Sequence, residues 1–233
     1  MHIKGFIKII IRKIVLIPTR FILEVYNQYE VIIPSQTPRT GPAWILFNHG
    51  GTLDVPALLV SGFRDDLVVI TARLIKEIFI LNLLFKSWNP IYVDQFKFNP
   101  HLSDAIERVF KRNEAICIAP EGTRSTTGKM QPFRSGGIKR ALLSFRDNNI
   151  PIIPCGIDAY MAMPRGKLFP RPRKITVKYG KPLDLSKWKK GGITASMLEE
   201  IGKYMRDSIG ELLPPERRAD PDMPVFIRKN NAK

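Results

Sequence analysis

Cysteine is nearly absent from this chain, with two in 233 residues, Cys117 and Cys155. So few exclude a disulfide framework and fit a reducing compartment. Both lie in apolar, strand-like runs, and neither has metal-ligand spacing with a histidine, so no metal site is expected. Acidic residues are also in short supply. Lys and Arg number 37 against 21 Asp and Glu, a net charge of +16. That imbalance calls for an anionic partner: nucleic acid, an anionic membrane surface or a phosphorylated substrate. Zinc-finger spacing and an aromatic-rich RNA-binding signature are both missing, so a nucleic-acid partner is not expected. No uninterrupted apolar run approaches the ~20 residues of a membrane span. No small-residue cleavage site follows the apolar N-terminal stretch, so no signal peptide is expected there. There is no internal repeat.

What is present is a hydrophobic content of 44%, ordinary for a globular core. The N-terminus reads as an interfacial element. Lys4, Lys8 and Arg12 recur every four residues as a basic stripe, and Ile3, Phe6, Ile7, Ile10, Ile14 and Ile17 cover much of the opposite side. Pro18 interrupts this pattern, and Arg20 to Tyr29 resumes it with Phe21, Ile22, Val25 and Tyr26. Two basic amphipathic helices of this kind are expected to lie in the headgroup layer of an anionic bilayer, on its cytoplasmic face. Residues 31–42, with Pro34, Pro38 and Pro42, read as a linker.

Beyond it, strand-like segments (43–48, 67–71, 90–94, 115–119, 151–157, 174–179) alternate with helix-like ones (54–61, 73–86, 101–112, 135–147, 193–212). The alternation predicts an α/β fold with a largely parallel central sheet covered by helices on both faces. The helix over 73–86 is too apolar for a plain surface helix and is either buried or part of a lipid-facing wall. The expected division is residues 1–30 for membrane docking, 31–213 for the main domain, and 214–233 for a basic, Pro-containing tail that is loosely ordered.

Ligands in such sheets sit beyond the carboxyl ends of the strands. His49 follows the first strand of the alternation, in Asn48-His49-Gly50-Gly51-Thr52-Leu53-Asp54. An imidazole and a carboxylate five residues apart cannot share one helix face, but a turn through Gly50-Gly51 would bring them together. The pair has the parts of a general base with an orienting carboxylate. No serine or cysteine stands nearby as nucleophile, so the proton would come from a substrate hydroxyl. The plainer reading makes Asp54 a helix N-cap, with Pro56 in the first turn.

Asp94-Gln95 follows the third strand, and Pro120-Glu121-Gly122-Thr123-Arg124-Ser125 follows the fourth. Gly122 would let backbone amides approach an anion, Arg124 can grip a phosphate bidentately, and Thr123 and Ser125 add hydroxyl donors. Pro132-Phe133-Arg134-Ser135-Gly136 then opens a helix with Ser135 as a natural N-cap, a second place for an anion.

Together these blocks resemble the glycerolipid acyltransferase family, which includes the lysophosphatidic acid acyltransferases. The resemblance rests on Asn48 and His49 to Asp54, on Pro120 to Ser125, and on Pro132 to Gly136, with Pro151 to Pro154 and Gly180-Lys181-Pro182 in support; it covers about residues 40–185. Family members usually carry Ser where Gly51 stands, a bulky residue where Ala119 stands, and often Arg where this chain has Gln95. The resemblance implies acyl transfer from acyl-CoA or acyl carrier protein to the hydroxyl of a lysophospholipid, 1-acylglycerol-3-phosphate first. Another lysophospholipid, a lyso-aminolipid or glycerol 3-phosphate are alternatives, as is a non-catalytic lipid-binding protein. His49 and Asp54 would be catalytic and no cofactor would be needed. Glu121, Gly122, Thr123, Arg124, Ser125 and Arg134 would bind substrate and phosphate, with Glu121 orienting Arg124 or a ligand hydroxyl. Gln95 would lie at the acceptor site.

Overall fold

The computed structural model describes residues 3–73, 88–94, 99–163 and 171–227, with side chains from Arg12 onward. The helix expected over 73–86 falls, after Arg73, outside these residues, and so does Gln95. Among the described residues, seven strands form one sheet: β1 Tyr29–Ile32, β2 Ala43–Phe47, β3 Leu67–Ala72, β4 Ile91–Val93, β5 Ala115–Ile118, β6 Ile152–Asp158 and β7 Ile175–Tyr179. Their order is β1-β7-β6-β2-β5-β3-β4. Only β6 and β7 pair antiparallel, so β1 and β7 run against the other five. The largely parallel sheet expected from the alternation is what the chain forms.

β2 is the central strand, and every one of its residues is buried. Its unbroken apolar run, Ala43-Trp44-Ile45-Leu46-Phe47, is the pattern of a strand covered on both faces. Alternate side chains enter two cores. Ala43, Ile45 and Phe47 pack with Ala57, Leu58 and Val60 of α2 (Asp54–Val60), and with Leu23 and Leu16 from the N-terminal region. Trp44 and Leu46 join the opposite core, with side chains from α3 (Leu102–Lys111), α4 (Ser135–Asn148) and α5 (Ala195–Gly210). α2 and α4 leave the sheet on opposite faces, so the loops after β2 and its neighbour β5 open together at one end.

Three segments depart from expectation. The junction between the expected second helical segment and the linker is β1, whose Tyr29 pairs with Ile175 and donates its hydroxyl to the Ala57 carbonyl at 2.6 Å. Four residues with a central Glu give no strand periodicity to read, and the partner strand is remote in sequence. Pro18 does not divide the N-terminal region. α1 runs unbroken over Ile3–Phe21 with Pro18 inside it, and a π-helical turn, Ile22–Tyr26, continues it. Proline removes one helical amide; the Thr19 hydroxyl donates to the Val15 carbonyl at 2.7 Å beside it. Arg12 is not on an outward basic face, since it donates to the Asp65 carbonyl at 3.1 Å and lies over the Trp88 ring.

The third departure is the tail, which over residues 214–227 is fastened down rather than loose. Val225 is buried, and the Phe133 amide donates to its carbonyl at 2.7 Å, while the Ile227 amide donates to the Phe133 carbonyl at 3.0 Å. The buried Arg206 of α5 donates to the carbonyls of Met223 and Pro224 at 2.9 and 3.2 Å. Removing residues 214–233 exposes the site of Val225 and strands the Arg206 guanidinium. Those losses come to about 3–6 kcal/mol. At a few degrees per kcal/mol in a chain of this size, Tm by circular dichroism is expected to fall by about 5–15 °C. An unchanged Tm would show that the segment contributes nothing to the fold.

Candidate active site

The loop after β2 is locked before it turns. Asn48 is buried, its side-chain amide donates to the Ile157 carbonyl at 2.9 Å, and its side-chain oxygen accepts from the Ile157 amide at 2.7 Å. A side chain thereby extends the β2–β6 ladder by one rung beyond Phe47 and Cys155. His49 follows with its orientation set. Its Nδ1 lies 2.9 Å from Asp54 Oδ2, and the same oxygen accepts the Gly51 amide at 2.8 Å. Asp54 is fully buried, while the His49 side chain keeps 22% of its surface open. Burial pushes the Asp54 carboxyl up, and the bonds from His49 and Gly51 pull against that rise. Asp54 is the first residue of α2, not its cap; Leu53 holds the cap position and no side chain caps the helix. The carboxylate is thus turned back toward the loop and the imidazole.

The turn between them depends on missing side chains rather than on unusual dihedral angles. Neither Gly50 nor Gly51 has positive φ. A Cβ on Gly51 would stand 3.2 Å from Tyr160 Cα, and one on Gly50 would stand 3.4 Å from the Gly128 carbonyl oxygen. The loops after β5 and β6 close directly onto this backbone. A side chain at Gly51 would press on the Tyr160 backbone.

Glu121 joins the two motif loops. It is fully buried, and its two oxygens accept the amides of His49 at 2.8 Å and Gln131 at 3.0 Å. Burial pushes its carboxyl up to about 8, the two amides pull it down, and the nearby Asp54 charge adds to the rise. Among the described residues its bonds go to these two backbone amides, and Arg124 bonds to Thr52 instead. The Ser125 amide donates to the His49 carbonyl at 2.8 Å, a second tie between the loops. The Ser125 hydroxyl is buried and accepts from the amides of Thr127 and Gly128 at 3.2 and 3.0 Å, so it serves the loop rather than an anion.

The outward members of the motif are Thr123 and Arg124, both exposed. Arg124 donates to Thr52 Oγ1 at 3.0 Å, which places its guanidinium over the His49–Asp54 loop. Gly122 has φ of +71°, and a Cβ there would meet Arg134 Nε at 2.5 Å. The positive φ favours glycine there, and the flexible Arg134 side chain occupies the space a Cβ would take. The Arg134 side chain lies across this turn, and its amide donates to the Pro120 carbonyl at 2.8 Å. Partial burial lowers its guanidinium pKa. Ser135 is not the cap of α4, because Arg134 holds that position with no side-chain cap bond.

The two loops thus carry the Arg124 guanidinium on Thr52 and the Arg134 side chain on the Gly122 turn, with the His49 ring partly open. Gln131 and Tyr160 are part of this construction without a sequence signal that marks them, and Asn48 is marked only as a member of the first motif block, with no role.

Residues 28–158, more than half of the chain, match the Acyltransferase family, and the chain belongs to that family. A coconut (Cocos nucifera) 1-acyl-sn-glycerol-3-phosphate acyltransferase is 36% identical over 88 residues, covering 37% of this chain and 27% of that protein. A Saccharomyces cerevisiae protein of the same name is 26% identical over 179 residues, covering 74% of this chain and 55% of that protein. The matched part spans between about a quarter and three fifths of the length of such relatives. The crystal structure of the 1-acyl-sn-glycerophosphate acyltransferase PlsC from Thermotoga maritima superposes with a TM-score of 0.66 at 21% identity, over 91% of this chain and 83% of that one. The two share a fold.

Each Glu121 oxygen keeps a lone pair for an amide whether or not the carboxyl is protonated. A glutamine nitrogen has none. Glu121→Gln therefore sets an NH2 group against a buried backbone N–H, and it is expected to cost about 1–3 kcal/mol in urea unfolding. Wild-type stability in this variant would show that the carboxylate does not hold the two loops.

Proposed function

We propose that this chain transfers a fatty acyl group from a thioester, acyl-CoA or acyl carrier protein, to the free hydroxyl of a lysophospholipid. The first acceptor is 1-acylglycerol-3-phosphate, and the product is phosphatidic acid. The observation that carries this reading is the His49–Asp54 pair. Asp54 occupies Nδ1, which leaves Nε2 to take a proton at the half-open end of the ring. Family membership and the names of the relatives support the same chemistry.

His49 takes the proton of the acceptor hydroxyl as its oxygen attacks the thioester carbonyl. The tetrahedral intermediate collapses, the C–S bond breaks, and the leaving thiolate takes the proton back from His49. Asp54 fixes the tautomer and stabilises the imidazolium, a contribution of ~10⁴-fold in comparable dyads. A thiolate is a good leaving group, so no covalent acyl-enzyme is required. The protein's work is positioning and charge stabilisation. Arg124, with Thr123, is assigned to the acceptor phosphate at the mouth, and Arg134 stands behind it. Gln95, where relatives often carry Arg, is assigned to the acceptor site.

α1 and the π turn supply the membrane contact in this reading. Ile14, Ile17, Phe21 and Val25, spaced three or four residues apart, are each more than 60% exposed. The basic Lys13 and Arg20 flank them. Among the described residues no helix is long and apolar enough to cross a membrane. A stripe of this kind dips into the headgroup layer and holds the site where lysolipid and product reside, on the cytoplasmic face.

Two measurements test the proposal. Purified protein is expected to release free thiol from acyl-CoA in the presence of lysophosphatidic acid. His49→Ala is expected to lower kcat by 10³-fold or more while remaining folded, and Arg124→Lys to raise the acceptor KM more than the donor KM. Turnover by folded His49→Ala protein at the wild-type rate would end the mechanism. For the membrane, the double substitution Ile17→Asp, Phe21→Asp is expected to shift the protein off anionic vesicles in a flotation assay. Equal flotation of variant and wild type would place the docking surface elsewhere.

A further inference from the structure

The family match ends at residue 158, yet the segment 214–227 reaches back to the same end of the sheet. Arg217, in the short 3-10 turn Pro215–Arg217, is only 11% exposed. Its Nε donates to Asp158 Oδ1 at 3.0 Å, at the last residue of β6. Its guanidinium carbon lies 5.1 Å from the centre of the Tyr160 ring. Its own carbonyl accepts the Met130 amide at 3.0 Å. One residue thus holds both the loop after β6 and the loop after β5.

Those two loops are the ones that press on the His49 turn. The Tyr160 ring fills the space left by Gly128, where φ is +81° and a Cβ would stand 2.5 Å from the ring. The Tyr160 hydroxyl donates to the Thr126 carbonyl at 3.0 Å. Tyr160 Cα and the Ala159 and Met163 carbonyls crowd Gly51, and the Thr52 amide donates to the Met163 carbonyl at 3.4 Å. Gly51 in turn gives its amide to the Asp54 carboxylate. The remainder of the segment is anchored independently by Arg206 on the 223–224 carbonyls, by the Gly202 notch under Val225 and Phe226, and by the Phe133 pairing. The anchor beyond Arg217 keeps the segment in place if that side chain is lost.

We propose that residues 214–227 act as a strap and that Arg217 is a positioning residue for the dyad, acting through Asp158 and Tyr160 to hold the Gly51 turn in the geometry His49 needs. This rests on the acyl-transfer reading for its kinetic consequence, but its structural consequence is separate. Misplacing a reacting group by about an ångström costs up to ~10²-fold in rate. A loosened turn is therefore expected to lower kcat by about tenfold, with little change in either KM, because Arg217 touches no substrate.

The test uses the full chain with Arg217→Gln, Arg217→Lys, Asp158→Asn and the Arg217→Gln, Asp158→Asn pair. Thiol release gives kcat and KM, and amide hydrogen exchange is followed over residues 48–54 and 126–134. Arg217→Gln is expected to lower kcat about tenfold and to speed exchange in those two segments but not in β2 or α5. Arg217→Lys should recover part of the rate. The double variant should be no slower than the slower single one, since both remove the same link. If Arg217→Gln lowers Tm yet keeps wild-type kcat and wild-type exchange around Gly51, the strap is structural only and the proposal is overturned. If wild type itself releases no thiol, the acyl-transfer reading fails, and local exchange alone decides whether Arg217 holds the turn.

Discussion

A buried carboxylate with two backbone amides on it is the constraint around which this molecule is arranged. Glu121 arrives from the end of β5 and takes the amides of His49, from the end of β2, and of Gln131, from the approach to α4. Two loops that would otherwise fray at the open end of the sheet are thereby fixed to each other. The site depends on that fixity. His49 can be aimed at Asp54 only because its own backbone is held from below by Glu121, from the side by the Asn48 rung, and through its carbonyl by Ser125. Burying an acid without a cationic partner is costly, and amide donors are what make it tolerable here.

Charge is therefore divided by depth. Inside stand two carboxyl groups, Asp54 and Glu121, both pushed up by burial; Asp54 is engaged by His49 and Gly51 of its own loop, Glu121 by the amides of His49 across the gap and of Gln131. Outside stand Arg124 and Arg134. The two acids are shut off from solvent, whereas Arg124 is exposed and the His49 ring keeps part of its surface open. In the proposed reading, the net charge of +16 serves approach to an anionic surface and the apolar stripe along α1 gives that approach an orientation.

The tail is the part of the architecture that composition most misrepresents. Proline and charge in residues 214–227 suggest a solvated end, yet each feature has a structural use. Pro215 starts a 3-10 turn, Arg217 is turned inward onto Asp158 and Tyr160, and Arg206 of α5 waits for the carbonyls of Met223 and Pro224. Polar residues in a loop segment are read as exposed when their partners lie far away in the chain. Asp158 and Arg217, 59 residues apart, are such a pair.

What the amino-acid order determined by itself was local. The unbroken apolar run of β2 declared a strand buried on both faces, the alternation of segments declared a largely parallel sheet, and the five-residue interval from His49 to Asp54 declared a pair that a sharp turn could close. Each depends on chain neighbours, so periodicity and spacing are enough to read it. Tertiary structure decided everything that joins distant segments: that β1 belongs to the sheet, that Asp54 faces the imidazole instead of capping α2, that Glu121 ties loops rather than serving Arg124, and that Ser125 is spent on its own turn. The same residue types would suit either role in the sequence. The choice was made by burial, because a carboxylate or hydroxyl shut away from water must bond to whatever donors the fold brings within reach.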